Sequence, residues 1–312
     1  EFRRVLFRSS LRRPLASGGA GQVWEATHRD RGTAVAVKLL PPEVLASPAL
    51  RATLTTEIRA VAALNHPNVI AVLDQGRVGA GAAVMSAGQL TEGSPYLVME
   101  LARGGNLLPE CGRLAWADVA PILDALLGAL AAAHARGLIH RDLKPDNVLV
   151  DHPDDLRPGL KLTDFGLALA LGEVDARVAG TPSYMAPEQC RGAWRAIGPW
   201  TDLYALGCTA WALLTGGPPF EGELRRVLLR QLHETPGAFR PVRAVPEGVE
   251  PWLRRLLAKR PVDRFAYAAE ARAALRALAP RGRRSGAEAR PPAVRGQTTS
   301  LVGIPQIGRA HV

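Results

Sequence analysis

Cysteine is scarce in this chain. The 312 residues contain three, Cys111, Cys190 and Cys208, and no pair has Cys-x-x-Cys spacing. Neither a zinc site nor a disulfide framework is indicated, and the compartment expected is reducing cytosol. No run of 18 or more apolar residues occurs, so the sequence as given holds no membrane span of the helical kind. An internal repeat is also lacking. Between Phe165 and Gly180 there is no Ser, Thr or Tyr, an absence that matters below.

Acidic residues are outnumbered, and the formal charge is +10. Residues 1–9 contribute +2, residues 280–306 contribute +4 and Arg309 contributes +1, which leaves only +3 for residues 10–279. A near-balanced body with basic ends argues against a phosphate-binding stripe, so no nucleic-acid partner is expected. The hydrophobic share of 47% is ample for a packed interior, and the length fits one large domain or two lobes sharing a cleft.

The two ends look foreign. Ile307-Gly308-Arg309-Ala310-His311-Val312 can be encoded by one strand of a short-read sequencing adapter, and Arg4-Val5-Leu6-Phe7-Arg8 by its reverse complement. Residues 1–9 and 307–312 are therefore expected to be adapter-derived and are set aside from fold reasoning. Residues 280–306, rich in Arg, Gly and Pro without periodicity, read as a basic disordered linker.

From Leu11 to Leu40 the pattern predicts strand, Gly-rich turn, strand, turn, strand, with Thr33–Leu39 the clearest β segment. Helical spacing follows over 49–64, stopped by Asn65-His66-Pro67-Asn68. Strands at 69–73 and 96–101 complete a five-stranded, mostly antiparallel sheet, and residues 77–94 between them read as a long mobile connection. After Leu107 helices dominate. One is expected from Asp118, as its cap, to Arg136 with Gly137 beyond, and others at 201–215, 223–233, 249–259 and 266–279. Two short strands, 148–151 and 160–163, flank a loop.

Most of the chemistry is concentrated in His140-Arg141-Asp142-Leu143-Lys144-Pro145-Asp146-Asn147, which holds a candidate base, a cation and a metal-ligating amide within eight residues. Asp164-Phe165-Gly166 follows, with Asp164 22 residues after Asp142. Upstream stand the Gly cluster Ala16 to Val23, Val35-Ala36-Val37-Lys38 and the helical Glu57. Downstream come Ala186-Pro187-Glu188, Asp202 and Arg264. In this order, over about residues 11–279, the chain resembles the protein kinase superfamily. Lys144 two residues after Asp142, together with Gly180-Thr181-Pro182-Ser183-Tyr184-Met185-Ala186-Pro187-Glu188, resembles the Ser/Thr kinases, and with the composition the resemblance is to their bacterial, eukaryotic-like (Hanks-type) branch.

That resemblance implies an α+β, two-lobed fold: an N-lobe over 10–101 with a five-stranded antiparallel sheet plus one helix, and a mainly α-helical C-lobe over 102–279. It implies Mg-ATP, or Mn-ATP, as phosphoryl donor and Ser/Thr hydroxyls of proteins as acceptors. Asp142 would accept the acceptor proton, and Lys144 would balance charge on the γ-phosphoryl. Lys38, paired with Glu57, would hold two phosphates, and Thr181 would shape the floor beside Asp142 and Lys144. Asn147 and Asp164 would hold the cations. Ala16, Gly18 and Gly21 of the Gly loop would cover the phosphates, with Ala16 standing where the family pattern has its first Gly. Val23, Ala36 and Leu149 would sandwich the purine, Met99 would back it, and Glu100 and Ala102 would offer hinge backbone atoms. His140 would be structural beside Phe165, Glu188 would form a buried pair with Arg264, and Asp202 would brace the catalytic loop unless it is a plain N-cap.

Arg141 ordinarily implies a phosphorylated loop residue, and the hydroxyl-free stretch offers none. Glu173 or Asp175 is expected to supply a fixed negative charge there instead, which would make activity independent of loop phosphorylation. The excess of Ala, Arg, Leu and Gly fits a high-GC bacterial genome. Placement in the cytoplasm follows from the resemblance, membrane anchoring beyond the sequence given and dimerisation both being compatible with it. A pseudokinase acting as a nucleotide-binding scaffold is the alternative, disfavoured by intact Lys38, Asp142, Asn147 and Asp164.

Overall fold

The computed structural model describes residues 4–6, 8–18, 21–41, 56–86, 90–150, 152–153, 155–165 and 182–278. The expected linker over 280–306 and the C-terminal hexapeptide lie outside them.

The N-lobe is an antiparallel sheet of β1 (Arg4–Leu6), β2 (Ser9–Gly18), β3 (Gly21–His28), β4 (Ala34–Leu39), β5 (Val72–Arg77) and β6 (Pro95–Glu100), in the order β1-β2-β3-β4-β6-β5. Five of these are the strands expected. The sixth, β1, comes from the segment read as foreign and pairs with the start of β2. The strand expected at 69–73 lies further along, because Val69 is used instead in a parallel bridge to Leu162 of the C-lobe. Alternation on β4 sorts its side chains between faces. Val35, Val37 and Leu39 pack with Trp24, Tyr96 and Leu90 on one face, while Ala36 packs with Met99, Leu97 and Ile58 on the other. Lys38 shares the second face by the same period, which turns it toward the other lobe.

Residues 56–62 form a helix, α1, carrying Glu57, and Ile58 and Val61 are buried. The connection expected to be mobile is partly built into the fold. It contains α2 (Ala80–Met85), and Val78 and Leu90 are buried at 2% and 3% exposure against the sheet. Apolar Val78, Ala82, Ala83 and Leu90, diluted among Gly and Ser, supply the anchor that composition alone hides.

In the C-lobe, α3 (Trp116–His134) buries Val119, Leu123, Leu126, Leu127 and Leu130. Asp118 lies three residues into the start of this helix rather than at its cap, and its carboxylate accepts the Ala115 N–H at 3.3 Å. Among the described residues α3 is the helix long and apolar enough to cross a membrane, yet half of that span is buried in the protein. After β7 (Val148–Leu149) and β8 (Lys161–Leu162) come α4 (Pro187–Cys190), α5 (Pro199–Thr215), α6 (Leu224–His233), α7 (Val249–Leu256) and α8 (Ala268–Ala277). Every residue of α5 from Thr201 to Leu214 is buried, so α5 is the central post of the lobe. Its N-terminus carries Asp202 under the catalytic loop.

Candidate active site

The Gly cluster forms the β2–β3 hairpin, with Ala16 opposite Val23 and Gly18 opposite Gly21; Gly19 and Ala20 lie outside the described residues. Gly21 has φ +108, and a Cβ there would lie 2.0 Å from the Leu39 carbonyl oxygen, so glycine is required by close backbone approach. Beneath the hairpin, Ala36 and Met99 join Val23 and Leu149 in one apolar cluster with Leu101 and Leu15. The four apolar residues expected around a purine are thus brought together from both lobes. Leu15, which no motif marks, packs against the same cluster. Glu100 and Ala102 follow at the end of β6 and in the segment joining the lobes.

The catalytic loop is fixed from below. Asp202 Oδ2 accepts the His140 N–H and Oδ1 accepts the Arg141 N–H, each at 2.8 Å, and Nε2 of His134 also meets Oδ2 at 2.8 Å. Burial would raise the Asp202 pKa, but the hydrogen bond and charge of His134 outweigh it, so the carboxyl is held below its ordinary value. Asp202 is therefore a brace and not an N-cap, which is Gly198. Nε2 of His140 meets the Thr163 carbonyl at 2.8 Å, and its ring lies 4.6 Å from that of Phe165, a structural placement.

On this base Asp142 receives Lys144 Nζ at 2.9 Å and Asn147 Nδ2 at 3.0 Å on Oδ2, while Asn147 Nδ2 also reaches the Asp142 carbonyl at 2.7 Å. Asn147 uses its amide N–H groups on Asp142, so its amide oxygen is the atom it can offer a cation. Arg141 and Asp164 are the two non-glycine residues with positive φ among those described, at 69° and 65°. Such backbone strain persists only where the surroundings over-determine it.

The expected Lys38–Glu57 pair is not made. Lys38 Nζ lies 2.7 Å from Asp164 Oδ1, and Glu57 Oε1 accepts Arg141 Nη1 at 2.6 Å. Buried Lys38 thus pairs with a carboxylate across the cleft, and Glu57, the carboxylate expected to face it, pairs with Arg141. Burial would raise the Asp164 pKa, and the Lys38 charge more than reverses this, keeping it ionised. Thr181, Gly166, Glu173 and Asp175 lie outside the described residues. The Glu188–Arg264 pair is present and bidentate, at 2.8 and 3.0 Å, with side-chain exposures of 3% and 0%.

Asn147 and Asp164 form an oxygen-donor pair suited to a hard cation. Among the described residues no cluster of three or more His, Cys, Asp or Glu could hold a metal unaided.

A strand-built lobe and a helical lobe meeting at a loop that holds Asp142, Lys144 and Asn147 beside Asp164 define the two-lobed phosphotransferase class of fold. Residues 10–275 match the protein kinase domain, and the chain belongs to that family, in its bacterial Hanks-type branch. It is 38% identical to serine/threonine-protein kinase Pkn1 of Myxococcus xanthus, over 90% of this chain and 40% of that protein. It is 34% identical to serine/threonine-protein kinase PknA of Mycobacterium tuberculosis, over 97% of this chain and 70% of PknA. The chain thus spans less than half the length of Pkn1. The crystal structure of the Mycobacterium tuberculosis PknI kinase domain superposes with a TM-score of 0.66 at 28% identity, covering 88% of this chain and 98% of that one.

Proposed function

We propose that the protein is a Ser/Thr protein kinase, transferring the γ-phosphate of ATP to hydroxyls of protein substrates in bacterial cytoplasmic signalling. The observation that carries the reading is Asp142 held by Lys144 and Asn147 within hydrogen-bond distance, opposite Asp164 and Lys38. In the reaction the acceptor oxygen forms a bond to the γ-phosphorus, the bond to the ADP oxygen breaks, and Asp142 takes the hydroxyl proton. Lys144 balances the charge that develops on the phosphoryl oxygens. Asn147 and Asp164 would hold Mg2+ or Mn2+, which when bound neutralises phosphate charge. Lys38 would turn from Asp164 to the phosphates, and Glu57 would orient it. Thr181 would line the acceptor floor, and Ala16, Gly18 and Gly21 would cover the phosphates. Support for activity without loop phosphorylation comes from the hydroxyl-free stretch between Phe165 and Gly180.

The test is incubation with γ-labelled ATP and Mg2+ in the presence of a mixed Ser/Thr peptide library, followed by phosphoamino-acid analysis. Label on Ser or Thr is the expected result. Nucleotide binding without transfer would favour the scaffold reading.

A further inference from the structure

Glu100 enters the account above only through its backbone, at the segment expected to meet the adenine. Its side chain is 3% exposed and has both oxygens engaged. Arg157, from the loop between β7 and β8, donates Nε to Oε2 at 2.9 Å and Nη2 to Oε1. Oε1 also accepts the Ala71 N–H at 2.8 Å, while the Glu100 N–H donates to the Ala71 carbonyl at 3.0 Å. Arg157 Nη2 reaches the Val69 carbonyl at 2.9 Å. One guanidinium therefore joins the hinge strand to the segment that leads from α1 into β5.

The same loop fastens the hinge a second time. Asp155 accepts the Arg103 N–H at 3.2 Å and the His152 N–H at 2.9 Å. Its far end is fixed by Asn68, which donates to the Leu160 carbonyl at 3.0 Å, and by Ile70 N–H, which donates to the Leu162 carbonyl at 3.0 Å. A loop that carried no function in the sequence reading thus straps the hinge from Glu100 to Arg103 against the C-lobe strands.

We infer that Arg157 is a positioning residue for the nucleotide, setting the hinge backbone through the Glu100 carboxylate so that the purine meets it at the right depth. The inference rests on the proposed reading of the cleft as an ATP site. The planar fork meets both carboxylate oxygens and the Val69 carbonyl in one fixed geometry, which a point-like ammonium on a flexible stem matches less well. Arg157 touches the Glu100 carboxylate and the Val69 carbonyl and none of Asp142, Lys144, Asn147 or Asp164 in the hydrogen bonds of the described residues, so its effect is expected on nucleotide affinity and not on the chemical step.

The 312-residue chain is compared with Arg157→Met, Arg157→Lys, Glu100→Gln and the double variant Arg157→Met/Glu100→Gln, with Arg255→Met as a control that breaks an exposed pair with Glu270. Mg-ATP and adenosine affinities are measured by calorimetry, with kcat, peptide KM and melting temperature alongside. Arg157→Met is expected to weaken ATP and adenosine by the same factor, about tenfold, since a displaced hinge acts on the base. Its kcat and peptide KM stay within about twofold, Arg157→Lys falls between, and the double variant is no weaker than Arg157→Met alone. Unchanged ATP and adenosine affinities in a folded Arg157→Met protein overturn the inference while leaving the ATP-site reading intact. A change confined to kcat, peptide KM or melting temperature overturns it equally. Wild-type protein that binds no Mg-ATP overturns the ATP-site reading, and the inference with it.

Discussion

Arg141 Nη1 and Glu57 Oε1 stand 2.6 Å apart, a charge pair joining the catalytic loop of one lobe to the helix of the other. The residue expected to hold Glu57, Lys38, is instead 2.7 Å from Asp164. The two pairs predict unequal costs. Lys38→Met, which removes the cation from the phosphate and metal side of the cleft, is expected to lower kcat by at least about a hundredfold. Glu57→Gln, one step removed, is expected to lower it about tenfold. Steady-state transfer assays on the two variants compare them, and an equal loss would mean that Lys38 contributes nothing unless Glu57 holds it.

Because Phe165 to Gly180 offers no hydroxyl, the protein should not need a phosphorylated loop. Phosphatase treatment followed by removal of the phosphatase is expected to leave the rate within about twofold. A tenfold loss would show that phosphorylation somewhere in the chain is required.

The Glu188–Arg264 pair is fully desolvated, and Arg264 also donates to the Ala258, Lys259 and Trp200 carbonyls. Arg264→Met leaves a buried carboxylate with Thr201 as its remaining donor among the described residues. The expected cost is about 3–5 kcal/mol, a large share of a domain's net stability. Thermal unfolding should drop by about 10 °C. A shift under about 2 °C would contradict this reading of the pair.

Asp124 accepts from both Arg272 and Arg276 on α8 and ties that helix to α3. Burial alone would raise its pKa, but the two guanidinium groups lower it from 3.8 to about 2. Its folded pKa lies below its unfolded one, so its contribution is present above about pH 4 and is lost as pH falls toward 2. With 27% of the side chain exposed, the contribution at pH 7 is discounted to about 1–2 kcal/mol. Urea unfolding of wild type and Asp124→Asn should differ by that amount at pH 7, and the gap should close as pH falls from 4 to 2.

The sequence made legible what depends on order and period. Alternation on β4 places Ala36 and Lys38 on one face, and eight motifs in register give the lobes and their cleft. Partner choice was not legible. Whether Lys38 meets Glu57 or Asp164 depends on where α1 sits relative to the catalytic loop, a tertiary distance that spacing does not carry. The role of Arg157 was hidden for a similar reason: an Arg in a polar loop reads as solvated until Glu100, 57 residues away, is seen to be buried against it. Asp118 and Asp202 show the reverse ambiguity. Both sit near helix starts, yet one accepts a hydrogen bond within its own helix and the other reaches out to His140 and Arg141.

The central claim is that Asp142 works in the transfer step and not in nucleotide binding. The direct measurement pairs Mg-ATP affinity with labelled phosphate transfer for wild type and Asp142→Asn. The account predicts affinity within about threefold and transfer reduced by at least about a hundredfold, the range for loss of a positioned general base. Undiminished transfer by Asp142→Asn would contradict it.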